Sequence, residues 1–151
     1  MPIDPAALPP DDPHAPPPGA SPGVITAVGA LSEALEWVER ARGRLYDLHQ
    51  LIGHADFLIS DAADQLDAQG HAELADLLRT EVVGRNVIQG RWTFQLVEEF
   101  DAVYYEAVRT AEKRVRDELL GGRRHVHEAL LKEARRTPGR RHHEQRPAPG
   151  G

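Results

Sequence analysis

The stretch "LYDLHQLIGHADF", residues 45–57, holds Asp47, His49, His54 and Asp56. Imidazoles beside carboxylates are the raw material of metal centres and of general acid–base chemistry. Spacing decides how much of that chemistry is open. His49 and His54 are five residues apart, so on a regular helix they point about 140° apart and cannot share one ion. His49 and Asp56 are seven apart and do share a face. Asp101, on a later helical segment, occupies a similar edge position, so a metal site would draw on His49, Asp56 and Asp101. That set falls short of a full ligand sphere, and the simpler expectation is that these edge residues make hydrogen bonds.

Other combinations offer less. Glu98 and Glu99 are neighbours, point about 100° apart on a helix, and cannot converge on one scissile bond. None of the three serines, Ser21, Ser32 and Ser60, stands in a nucleophile-elbow turn. "GRNVIQGR" lacks the Gly-Lys-Ser/Thr ending of a phosphate loop. No catalytic residue and no cofactor is implied; the first reading is a non-enzymatic helical interaction or oligomerisation module, and the alternative is a small metal-binding helical enzyme or ligand carrier. The best candidate for recognition is the group Arg85, Asn86, Arg91, Trp92 and Phe94. Aromatic anchors beside arginines are the composition of interface hot spots.

Charge narrows the partners. The formal net charge is −6, distributed as −3 over residues 1–22, −7 over 23–134 and +4 over 135–151. An acidic body repels phosphates, so nucleic acid is a poor partner for the folded part and could be held only by the arginine-rich C-terminal tail. No apolar run is long enough to span a bilayer, and no signal peptide is recognisable. The absence of cysteine fits a cytoplasmic protein. Sixteen arginines against two lysines suggest a GC-rich bacterial coding sequence.

The elements that must position these residues are helices. Leu31, Leu35, Val38, Arg42, Leu45, Leu48, Ile52, Ala55, Ile59, Ala62 and Leu66 recur by threes and fours, which predicts one long helix from about Val28 to Gln69, closed by Gly70. "HAELADLLRTEVV" predicts a short helix with Leu74, Leu77, Leu78 and Val82 on its apolar side. A third helix carries Val97, Phe100, Tyr104, Ala107 or Val108, Ala111, Val115 and Leu119, and ends at Gly121-Gly122. A last one carries Val126, Leu130 and Ala134 and stops before Thr137-Pro138. The fold class expected is all-α: a long antiparallel helical hairpin or bundle of about four helices.

The ends read differently. Nine of the first twenty-two residues are proline, so residues 1–23 are expected to stay extended and solvated, with the helical domain over 24–136 and a disordered basic tail over 137–151. Between the second and third helices, "VVGRNVIQGRWTFQLVEEF" breaks the helical rhythm. It is read first as an ordered joint, with Thr93 capping the third helix and Trp92 and Phe94 folding over the end of the bundle. A hairpin turning at Gln89-Gly90 and a continuous kinked helix remain as alternatives. A thin helical assembly leaves apolar surface uncovered, so the partner expected is another copy of the chain or another helical protein.

Overall fold

Serine followed by proline opens the longest element. The Ser21 hydroxyl accepts the Val24 backbone N–H at 3.2 Å, and Pro22 takes the first helical position, where its missing donor costs nothing. In the computed structural model, which describes residues 3–146, helix α1 spans Pro22–Ala68. Gly70 ends it at φ +84°, with the Gly70 N–H on the Asp67 carbonyl and the His71 N–H on that of Leu66, the paired bonds of a Schellman motif. The rest is helix α2 (Ala72–Glu81), helix α3 (Thr93–Phe100), a π-helical turn (Asp101–Tyr105), helix α4 (Glu106–Leu120) and helix α5 (Val126–Arg135). The class is all-α, with no strand among the described residues.

The chain divides into two compact units. One comprises the residues through Trp37 together with Val108 onward; the other is Val38–Ala107. In the first unit, Ile25 and Val28 of α1, Leu120 of α4, and Val126 and Leu130 of α5 are fully or almost fully buried. Gly29 permits the close packing there: a Cβ at this position would lie 2.7 Å from the Cβ of His127. Glu112 is buried, 2.9 Å from Arg116 and accepting the Ser32 hydroxyl at 2.9 Å.

The N-terminal segment corrects the expectation of a solvated arm. Ile3, Leu8 and Ala15 are buried members of this same core, and Asp12 is buried beside Arg146 at 2.7 Å. Proline builds the segment rather than melting it. The turns Asp4–Ala7, Pro9–Asp12, Asp12–Ala15 and Pro17–Ala20 each close with a backbone hydrogen bond, and each has proline as its second residue. Proline fixes the φ that this position needs. Beyond α5, Thr137-Pro138-Gly139-Arg140 makes another such turn, with Gly139 at φ +76°. Residues 147–151 of the expected basic tail lie outside the described residues.

In the second unit the four-three spacing of α1 survives with a different membership. Leu45, His49, Ile52, Asp56, Ile59, Ala63 and Leu66 are buried or half-buried, whereas Leu48 and Ala62 are exposed. α2 is likewise rotated from its expected face, burying Ala75 and leaving Leu74 and Leu77 exposed. On α3 and α4 the expected stripe holds at Val97, Phe100, Val108 and Val115, whereas Tyr105 rather than Tyr104, Glu112 rather than Ala111 and Leu120 rather than Leu119 are the covered positions. The π turn takes up one residue more than an α turn, which moves the stripe toward the later neighbour.

A candidate interaction surface

Arg42, His49 and Asp56 lie seven residues apart on one line of α1, and each reaches a different later segment of the second unit. The Arg42 guanidinium donates two hydrogen bonds to Asp101, at 2.7 and 2.9 Å, and stands 5.3 Å from the ring centre of Tyr46 and 4.9 Å from that of Tyr105. Those bonds hold the Asp101 carboxyl below the usual carboxylate range. The Tyr105 hydroxyl donates to Glu39 at 2.6 Å. His49 Nδ1 and the Thr93 hydroxyl share a hydrogen bond of 2.8 Å, and Asp56 accepts the Gly84 backbone N–H at 2.8 Å.

The structure therefore separates His49, Asp56 and Asp101. Each is engaged by its own partner, and among the described residues no three His, Asp or Glu side chains gather as a metal site would require. Their placement at the stripe edge was readable from spacing. Their partners were not, because those depend on how the loop before α3 folds.

That loop is an ordered joint. α2 ends at Glu81, Gly84 takes φ +73°, and Gln89-Gly90 forms a tight turn closed by the Arg91 N–H on the Ile88 carbonyl at 2.9 Å. The turn carries an isolated antiparallel bridge between Ile88 and Arg91, a remnant of the hairpin pattern with no strands attached. The capping residue is Trp92, not Thr93: the Trp92 backbone N–H donates to Gln95 Oε1 at 2.9 Å, and Thr93 is the first helical residue. Arg91 pairs with Glu99 at 2.6 Å.

Trp92 and Phe94 do not close the structure over. Their rings pack edge to face, 5.4 Å between centres, yet Trp92 is 59% exposed and Phe94 remains exposed as well. Trp92 lines an open groove of about 410 Å³ with Ile52, Gly53, Asp56 and Phe57 of α1 and Gly84, Arg85, Val87 and Thr93 of the joint. Phe57, which the sequence reading passed over, is 74% exposed. Arg85 and Asn86 are also exposed, and Arg85 lies 3.8 Å from Glu81. Of the five residues singled out for recognition, the groove brings Arg85 and Trp92 together. Asn86, Arg91 and Phe94 stand outside its lining.

The groove is part of a wider pattern. Of the sixteen large apolar residues that are exposed among the described residues, fourteen belong to the second unit, whose buried apolar residues are only Ala63, Ala75 and Val97. No described helix is long and apolar enough to cross a membrane. No family model, curated protein or solved structure matches the chain.

Proposed function

We propose that the chain is a non-enzymatic helical interaction module whose second unit associates with further copies of itself. The observation that carries this reading is the balance of that unit, in which Leu48, Leu51, Phe57, Leu58, Leu74, Leu77 and Trp92 are exposed while the apolar residues it buries are two alanines and a valine. Exposed apolar side chains in this number favour association, because each exposed leucine forgoes about 1.5–3 kcal/mol of burial. Sedimentation equilibrium of the full chain tests it. The average mass is expected to rise with concentration to a multiple of 16.7 kDa. A constant monomer mass at every concentration sinks the reading.

A second reading, docking of a different helical protein, is favoured by the exposure of Trp92 in its groove beside Phe57 and Arg85. In a Trp37→Phe variant the fluorescence reports on Trp92 alone, since the chain has two tryptophans. If the groove serves another protein, acrylamide quenching of Trp92 persists in the self-associated form. Loss of quenching on self-association would assign the groove to the homomeric contact.

A further inference from the structure

Besides the line that faces its own unit, α1 carries a second apolar line in the same residues. Leu48, Leu51, Ala55, Leu58 and Ala62 alternate by three and four, about 90° around the helix from His49, Ile52 and Asp56. Leu51 is 67% exposed, Leu58 is 55% exposed, and Leu48 and Ala62 are also open to solvent. A line with this spacing packs on another helix of matching spacing. The charges flanking it say which helix and in which direction.

The line begins with an arginine and runs into acid. One turn before Leu48 stands Arg44, 86% exposed at its side chain and linked to Asp47 at 3.0 Å. At the other end stands Asp61, and residues 56–81 as a whole hold seven acids against one arginine. A parallel pair of copies would set Arg44 against Arg44 and the acidic stretch against itself. An antiparallel pair sets Leu48 opposite Leu58 and Leu51 opposite Ala55. It also brings Arg44 over Ala62, beside Asp61, and moves the two acidic stretches apart. Like-charge juxtaposition is costly and opposite charges fix register, so the sequence selects the antiparallel arrangement.

We infer that two copies of this chain pair through the Leu48–Leu51–Ala55–Leu58–Ala62 line of α1, antiparallel about a two-fold axis, with Arg44 of each copy meeting Asp61 of the other. This rests on the self-association proposed above and adds the face and the direction. The contact is isologous, so every substitution acts twice.

Sedimentation equilibrium of full-length variants, with helicity checked by circular dichroism, tests it. Leu51→Glu leaves an exposed helix position and is expected to keep the fold while weakening association about a hundredfold, since a buried leucine is lost in both copies. Arg44→Glu and Asp61→Arg are each expected to weaken it about fivefold, and the double variant to restore it. A parent that stays monomeric overturns both this inference and the reading beneath it. A parent that associates regardless of Leu51→Glu overturns the face and leaves the module reading standing. Association lost with Leu51→Glu but not recovered in the charge-swapped double variant overturns the antiparallel direction.

Discussion

Arg42 shows how a charged residue can occupy an apolar line without becoming a site. Its guanidinium lies between the Tyr46 and Tyr105 rings and is satisfied by both oxygens of Asp101. Because those bonds hold the Asp101 carboxyl below its ordinary value, their contribution to stability is complete above the unfolded carboxylate pKa, about 3.9. It is lost as pH falls through the lower folded value. Asp101→Asn should therefore destabilise the protein near neutrality, and the gap between parent and variant should narrow as pH drops below about 4. Urea midpoints at neutral and acid pH measure this; a gap that is the same at both would contradict it.

Two glycines of α1 make the complementary case. Alanine is worth about 1 kcal/mol over glycine inside a helix. At Gly43 nothing lies within 4 Å of an added Cβ, so Gly43→Ala should stabilise by about that amount. At Gly29 the added carbon meets the His127 Cβ at 2.7 Å, and α5 must shift. Overpacking costs about 1–3 kcal/mol, so Gly29→Ala should come out neutral to about 2 kcal/mol less stable. Thermal unfolding of the two variants side by side checks the sign of each.

At the scale of elements, what was legible in the sequence followed from local chemistry that repeats. Gly70 and Gly121-Gly122 end helices at positive φ, and the break in rhythm after Val82 is a joint. The turn-forming prolines were equally local, since Asp4-Pro5, Asp12-Pro13 and Pro18-Gly19 are turn pairs. Composition alone averaged them into a solvated arm. The π turn was not legible, because nothing in "DAVYY" marks it. Asp101 and Tyr105 both reach Arg42 across it, four residues apart as neighbours on an ordinary helix face also are. Two deletions test its part in the phase of the helix. Removing Ala102 takes out the extra residue and keeps the register of Tyr105 through Leu120, so helicity and midpoint should stay close to the parent. Removing Ala111 instead turns every later residue of α4 by about 100°, taking Val115 and Leu120 off their face. That deletion should unfold the first unit. Equal effects of the two would argue against the phase role of the π turn.

Over the whole molecule, the two units differ in what holds them. The first buries eight apolar residues drawn from the N-terminal segment, α1, α4 and α5; the second buries three small ones and binds its segments through Arg42, His49 and Asp56. Polar links that remain partly in water add little net stability, whereas buried leucine, isoleucine and valine add much. The second unit also carries thirteen acids against six bases, a net −7 that opposes both its own compactness and its meeting with a copy. Local opening should therefore be uneven, with amides around Ile25, Val28 and Leu130 exchanging slowest and those of α2 and α3 fastest. If the exposed apolar face of the second unit is covered by self-association, exchange there must slow as protein concentration rises. It must slow again when salt screens the acidic charge. The core of the first unit should respond to neither. Hydrogen exchange at low and high protein concentration, each at two ionic strengths, reads all of this in one experiment. Uniform protection that ignores concentration would mean the second unit is stable alone with Leu48, Leu51 and Leu58 in water.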